Sequence, residues 1–458
     1  MSTDNSSLSR RKVLTATGSL VAATALPSAS FAGYHTESAD LIQVALVGSG
    51  GRGSGAAVNA MRTKTGPMKL VAMADAFQDR LNDSHKYVSS EIKDQMSVPK
   101  ERQFVGLDAY KKAMDCLRPG DIVILATPPA FRWVHFQYAI EKKLNVFMEK
   151  PVTVDGPTSV KMLELAAKAE KMGLKVGVGL MSRHARNLQE LHKRVGDGEI
   201  GDVMLMRGYR MHGPAGTSQS TAKPAGMSEV EYQIRRFHSF LWASGGCYSD
   251  FYIHLIDHMS WMKNALPVSA RASGGRHYKA DDKGAQFVDQ NFDSYSVEYT
   301  WADGAKFYFD GRCVEGAQGV YSSYLHGTKG CAIASRANDC GGPSATFKGG
   351  SMSEGNLIWQ SSDRSNPYQN EWDALVAAIR NNTPHNEVRR GVETSVMTSM
   401  GRMAAHTGQE ITYEAMLNCE HEFAPGLDKL TMSSAPLTGD ASGKYDQPMP
   451  GHKPDREY

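Results

Sequence analysis

The sequence predicts an α/β chain in which a doubly wound parallel sheet is followed by an α+β domain with a large open-faced, mostly antiparallel sheet. Three observations carry this. Short β-rich runs alternate with helical stretches from Leu41 to about residue 180. The first such run leads directly into a glycine-rich turn that opens a helix. Beyond residue 180 the pattern changes to successive alternating strands. Strand–helix alternation implies a parallel sheet covered on both faces, and 458 residues are enough for two cores.

In the first half, strands are predicted at Leu41–Val47, Leu70–Met73, Ile122–Ala126, Asn145–Met148 and Lys175–Val178. Helices are predicted at Gly53–Arg62, Phe131–Lys142 and Thr158–Met172. The second half opens with a helix, His184–Val195, and a strand, Asp202–Arg210. Residues 212–240 read as a long loop, with Gly213, Pro214, Gly216, Pro224 and Gly226 as breakers. An insertion of that length suggests a lid or an assembly arm. A helix at Phe251–Met262 precedes a meander of strands at Val268–His277, Phe292–Thr300, Ala305–Gly311 and Tyr321–Gly327. Helices at Gln369–Arg380 and Val392–Ala405 follow, and a tail rich in Pro, Gly and Ser closes the chain. The predicted domains are therefore 41–180 and 181–420, with a tail over 421–458 that wraps or dangles.

Residues 1–32 are set apart. Ser9-Arg10-Arg11-Lys12 heads a moderately apolar run to about Leu26, and small residues surround Phe31. A basic head, a short apolar middle and a small-residue exit describe a cleaved signal. The paired arginines point to twin-arginine export of the folded protein to the periplasm. Residues 33–40 are a polar lead-in. Three basic groups and one acid in residues 1–32 account for the whole formal charge of +2. The rest is near neutral, which argues against a nucleic-acid partner. No later apolar run is long enough for a transmembrane helix. The six cysteines form no C-x-x-C, so zinc ribbons and thioredoxin-type sites are not expected. They read as small buried thiols, although an oxidising compartment permits a Cys331–Cys340 bridge.

The glycine-rich turn is Gly48-Ser49-Gly50-Gly51-Arg52-Gly53. In G-x-G-x-x-G, the first glycine makes the tight turn, the second admits a pyrophosphate, and the third lets helix and strand pack closely. The helix N-terminus adds free N–H groups and partial positive charge. The second strand ends at Asp75, 22 residues beyond Gly53. An acid there binds ribose hydroxyls and repels a 2′-phosphate, so NAD is expected rather than NADP. Arg80, one turn on, is placed to reach a phosphate. These features describe a Rossmann dinucleotide site.

Further motifs follow in order: Thr127-Pro128, His135, then Glu149-Lys150-Pro151. Gly177-Val178-Gly179-Leu180-Met181-Ser182-Arg183, Gly198-Glu199-Ile200-Gly201 and Gly245-Gly246 come next. Asp250-x-x-x-His254-x-x-Asp257 and Gly327-Thr328-Lys329-Gly330 complete the series. Over about residues 41–415 this order resembles the Gfo/Idh/MocA family, which includes glucose–fructose oxidoreductase and inositol dehydrogenase. The resemblance implies that Thr127, Pro128, His135, Glu149 and Lys150 belong to the cofactor site. It also implies that Lys150, Asp250 and His254 line the cleft beside the nicotinamide. It further implies a sugar or polyol substrate, and a dimer or tetramer formed through the open sheet.

The residue chemistry is consistent with this. Asp250, His254, Asp257 and His258 lie at i, i+4, i+7 and i+8, on one helix face. A hydroxyl being oxidised must lose a proton as hydride leaves. His254 suits the base role. Lys150 can stabilise alkoxide character or take the proton itself, and the sequence leaves that choice open. Asp250 can hold a neighbouring hydroxyl or orient His254. Arg183 is a candidate substrate contact, and Asp257 buttresses the helix. His254-x-x-Asp257-His258 also has zinc-like spacing, but no third ligand or general-base glutamate completes it, so no metal is expected. The expected function is an NAD(P)-dependent oxidoreductase acting on a sugar, polyol or glycoside hydroxyl. After export, its cofactor is expected to stay tightly bound and to be recycled in place. The alternative is an NAD-dependent glycosidase working by transient oxidation, elimination, hydration and re-reduction; retention of Lys150 favours the oxidoreductase. A cofactor-binding protein without turnover is a third class.

Overall fold

A computed structural model describes residues 40–458; the expected signal, 1–32, and all but the last residue of the lead-in lie outside the described residues. The first sheet contains β1 (Ile42–Val47), β2 (Met68–Asp75), β3 (Gln103–Val105), β4 (Ile122–Leu125), β5 (Asn145–Met148) and β6 (Val176–Val178). Their order is β3-β2-β1-β4-β5-β6, and every pairing is parallel. In β4 and β5 every residue is buried, as expected of strands covered on both faces. Burying each Val, Leu or Ile stabilises the fold by about 1.5–3 kcal/mol. The order reverses direction between β1 and β4, and the crevice at such a switch point is where ligands bind in open α/β sheets.

Three short elements here were not foreseen: the helix Gln78–Glu91, β3 and the helix Ala109–Met114. The first has only three buried residues, Leu81, Ser84 and Val88, so its apolar signal is weak. The helix predicted from Thr158 starts at Gly156, because the Asp155 carboxylate caps it by accepting from the Thr158 N–H at 2.8 Å. The same carboxylate accepts from the Phe423 N–H at 2.9 Å, which fastens the tail to this domain.

The second sheet has nine strands. They are β7 (Val203–His212), β8 (Ser269–Gly275), β9 (Ser294–Thr300), β10 (Lys306–Cys313), β11 (Val320–Gly327), β12 (Gly330–Ser335), β13 (Ala345–Lys348), β14 (Leu357–Gln360) and β15 (Ile411–Thr412). Their order is β14-β13-β12-β11-β7-β10-β9-β8-β15. The meander expectation needs correction. β7 lies between β10 and β11 and pairs parallel with β10, which makes the sheet mixed. Pairing partners so far apart in sequence leave no local signal. One face packs on the helices Gly246–Lys263 and Val388–Thr407.

Two other expectations change. Residues 212–240 are not all loop: Glu229–Arg235 is a helix, capped by the Ser228 hydroxyl, which accepts from the Glu231 N–H. The helix Pro367–Arg380, assigned by sequence to the second domain, packs Trp372, Leu375, Val376 and Ile379 into the core of the first sheet. Trp372 stacks on Phe147 with ring centroids 4.5 Å apart. The tail wraps: Phe423, Leu427, Tyr445 and Tyr458 are buried. All six cysteines are free thiols, Cys331 and Cys340 included.

Candidate active site

A cleft of about 390 Å³ opens at the switch point. Its floor is the Gly48–Gly53 turn, between β1 and the helix Gly51–Met61. Gly48 has φ +94°, and a Cβ there would come within 2.5 Å of the Ala126 carbonyl carbon. A Cβ on Gly53 would collide with the Gly48 carbonyl oxygen. Both positions therefore require glycine. Gly50 and Gly51 are different: almost nothing lies within 4 Å of a Cβ built there, so their backbone faces open space. The helix carries no side-chain cap, which leaves its first N–H groups free for an anion. This chemistry fits a dinucleotide pyrophosphate.

Asp75 ends β2 on the cleft wall and accepts from the Ser49 N–H at 2.7 Å and the Phe77 N–H at 2.9 Å. Burial raises its carboxyl above the ordinary range, against those two hydrogen bonds. Arg80 lines the same wall and donates to the Arg235 carbonyl. Beside it, a smaller hollow is lined by Ala76, Leu107, Tyr110, Thr127, Pro128, Phe131 and His135. Its apolar and aromatic walls suit a flat ring. His135 is buried, contacts Thr127 Oγ1 through Nδ1 at 3.1 Å and lies 4.2 Å from the Tyr110 ring centroid. Burial drives its pKa down to about 3, so the ring is neutral and shapes the hollow.

Arg52 and Glu149 both line the cleft and bind each other, with Nη2–Oε1 at 2.6 Å. The Arg52 guanidinium also sits 4.5 Å over the Tyr368 ring. The pair thus bridges the glycine turn and the end of β5. No motif pointed to Arg132. It is buried and donates to the Leu125 and Thr127 carbonyls at 2.6 and 2.8 Å, fixing the turn after β4. Burial lowers its pKa to about 10, which still leaves it cationic at neutral pH.

At the other end of the cleft, Lys150 meets the helix Gly246–Lys263. Its Nζ donates to the Asp250 carbonyl at 2.6 Å and lies 3.6 Å from Asp250 Oδ1. Burial pushes the Asp250 carboxyl up, but Lys150, followed by His238, outweighs it and holds the carboxyl at about 2. The carboxylate is therefore ionised at any working pH. His254, one turn on, is 7% exposed, and its Nδ1 has no partner among the described residues. Burial, then the positive field of Lys150, keeps its pKa well below the usual value, so it is a neutral acceptor. Lys150 and Asp250 are on the cleft wall, whereas His254 is not among the residues that line it.

Arg183 is not on that wall, contrary to its expected substrate role. Its guanidinium is bidentate on Asp257, with contacts of 2.7–3.0 Å, and Asp257 also accepts from Thr394 Oγ1. A buried carboxylate requires such a partner, and this one consumes the arginine. His258 Nε2 is bonded to Ser323 Oγ at 2.9 Å. Sequence reasoning also missed Ile234, Phe237 and His238, which line the cleft from the 212–240 segment. Only the length of that segment hinted at a role.

Residues 42–180 match the GFO_IDH_MocA oxidoreductase family, NAD-binding Rossmann fold. An inositol 2-dehydrogenase of Corynebacterium glutamicum is 28% identical over 142 residues, 31% of this chain and 40% of that protein. The matched stretch thus spans less than half of the relative. The fold is similar to that of an aldose-aldose oxidoreductase from Caulobacter crescentus (TM-score 0.60, 16% identity, 81% of this chain and 99% of that one). It is also similar to a scyllo-inositol dehydrogenase from Lactobacillus casei solved with NAD(H) and scyllo-inositol (TM-score 0.58, 20% identity, 81% and 99% covered). The cleft at the switch point, the free helix N-terminus and the family match agree: residues 42–180 form a Rossmann domain similar to the NAD-binding domain of the Gfo/Idh/MocA oxidoreductases.

Proposed function

We propose that this protein is an NAD-dependent dehydrogenase that moves hydride between a bound nicotinamide and a secondary hydroxyl of a sugar or cyclic polyol. The observation that carries this reading is the meeting of Lys150 and Asp250 on the wall of the dinucleotide cleft, with His254 one turn further along the helix that bears Asp250. Bound NAD supplies the hydride acceptor. Lys150 holds the substrate oxygen and stabilises negative charge on it as its proton leaves. Asp250 keeps that ammonium in place and accepts from a neighbouring hydroxyl. His254, whose ring burial keeps neutral, is assigned as the group that receives the proton. Similarity to inositol dehydrogenases supports a polyol substrate.

The export reading of residues 1–32 belongs to the same proposal: a folded protein leaves the cell with its cofactor aboard and recycles it in place. A second copy is proposed to pack on the open face of the second sheet, where Tyr308 is exposed.

The test is to purify the protein, extract bound nucleotide, and screen polyols, sugars and aryl glycosides. Nicotinamide reduction without glycoside cleavage is the expected result. Aglycone release with no net reduction replaces the dehydrogenase by the redox-neutral glycosidase. Cofactor choice has its own check. Asp75→Ala is expected to weaken NAD binding about tenfold, a loss of about 1.4 kcal/mol, and to narrow the preference over NADP. An unchanged NAD-to-NADP affinity ratio in titrations would remove Asp75 from cofactor recognition.

A further inference from the structure

We propose that His238 is a positioning residue that holds the Asp250 carboxylate, and through it the Lys150 ammonium, in the geometry used for proton transfer. This rests on the dehydrogenase reading above and extends it to a residue outside the Lys150–Asp250–His254 set.

His238 Nε2 lies 3.2 Å from Asp250 Oδ2, while Lys150 Nζ faces the other oxygen, Oδ1, at 3.6 Å. The two carboxylate oxygens are therefore gripped from opposite sides. The tautomer follows from the second ring nitrogen. His238 Nδ1 accepts from the Thr217 N–H at 3.2 Å, so it carries no proton. The ring proton is then on Nε2, directed at Asp250. With its Nε2 proton directed at Asp250 the ring is an orienting donor, and both of its nitrogens are already engaged.

The ring itself is immobilised. Its centroid is 3.8 Å from that of Phe237 and 5.0 Å from that of Phe251, the latter with an interplanar angle of 20°. The His238 carbonyl accepts from Asn291 Nδ2 at 2.8 Å, and its N–H donates to Thr217 Oγ1 at 3.3 Å. On the far side, a Cβ on Gly216 would approach the ring to 2.7 Å, so the strand-to-helix segment is moulded around it. The same segment is tied to the cofactor domain: Arg235 forms two bonds with the Asp79 carboxylate, at 2.8 and 3.0 Å, and lies 4.0 Å over the Phe77 ring. The segment between β7 and the helix Gly246–Lys263 thus reaches from the cofactor wall to the catalytic carboxylate, and His238 is its contact there. A group held this rigidly matters because a displacement of about 1 Å at a reacting centre costs roughly 100-fold in rate.

The test uses the full-length holoprotein with myo-inositol and NAD as the probe pair. His238→Ala is expected to lower kcat roughly 100-fold, with KM for the polyol and the NAD dissociation constant changed by less than about threefold. His238→Gln restores a donor near the Nε2 position and is expected to recover most of kcat. A wild-type kcat in His238→Ala overturns the proposal, as does an equal loss in the alanine and glutamine variants, which marks a purely packing role. A readout independent of turnover accompanies these. NMR of the 15N-histidine-labelled protein is expected to show His238 as the Nε2–H tautomer at neutral pH, and an Nδ1–H tautomer overturns the proposal. If the wild type turns over no polyol or sugar, the dehydrogenase reading fails, and the NMR result alone decides whether His238 orients Asp250.

Discussion

Replacing Lys150 by alanine is expected to lower kcat/KM by about 10³-fold or more, as removal of one preorganised donor at a developing oxyanion does, while NAD still binds. The argument is electrostatic. Lys150 is the largest favourable influence on the Asp250 carboxylate, which burial alone would push toward the neutral acid. Without the ammonium, two things fail together. The substrate oxygen loses its cationic partner, and the Asp250 carboxyl rises from about 2 toward protonation. His238 still donates to Asp250, so the helix remains in place and the defect is chemical. The glycine turn and Asp75, which are expected to hold the dinucleotide, make no contact with the Lys150 ammonium, which is bonded to Asp250. Steady-state kinetics and calorimetric titration with NADH separate the two effects. A variant that keeps near-normal kcat/KM removes Lys150 from the mechanism.

Replacing Glu457 by alanine is expected to destabilise the fold by about 3–5 kcal/mol, the usual cost of breaking a buried ion pair. Arg402 is fully buried, and Glu457 meets its Nε and Nη2 at 2.8 and 2.9 Å. The remaining donors of Arg402 reach the Gly245 carbonyl, Ser249 Oγ and the Val154 carbonyl. Arg402 therefore joins the start of the helix bearing Asp250 to the chain that follows Lys150. With Glu457 gone, an unpaired cation is left at that junction.

The acid dependence follows from the same pair. Burial would raise the Glu457 carboxyl, but Arg402 prevails and lowers it from 4.5 to about 2. A depressed carboxylate contributes stability that is fully present above its unfolded value and is lost as pH falls through the folded one. The loss thus runs from about pH 4.5 down to pH 2 and amounts to roughly 3 kcal/mol. Denaturant unfolding at pH 7 and pH 3 is the measurement, with Glu457→Gln as the control that lacks this increment. Equal stability of wild type and Glu457→Ala at pH 7 would refute the role of the pair.

Much of the cofactor half was legible because its signals are local. The Gly48–Gly53 turn, its preceding strand and Asp75 lie within one strand–helix–strand unit, and Gly48 and Gly53 are required by backbone geometry that short-range sequence expresses. Lys150, Asp250 and His254 were singled out through motif order, and Lys150 and Asp250 meet in ion-pair contact although 100 residues separate them. The Arg183–Asp257 ion pair was not legible, because sequence cannot show which buried carboxylate claims an arginine. His238 was invisible for the same reason: a histidine in a glycine-rich stretch becomes informative only when the chain folds back on Asp250.

By itself, then, the sequence determined the strand–helix order of the first domain, the glycine turn with its acid, and the face shared by Asp250 and His254. These follow from backbone sterics and from the periods of helix and strand, which act over a few residues. The parallel β7–β10 pairing, the return of Trp372 to the first sheet, the burial of Glu457 on Arg402 and the seating of His238 against Asp250 were decided only by the tertiary structure. Each depends on which distant groups must share a low-dielectric interior, where unpaired charges and uncovered apolar faces are costly and only the complete fold supplies their partners.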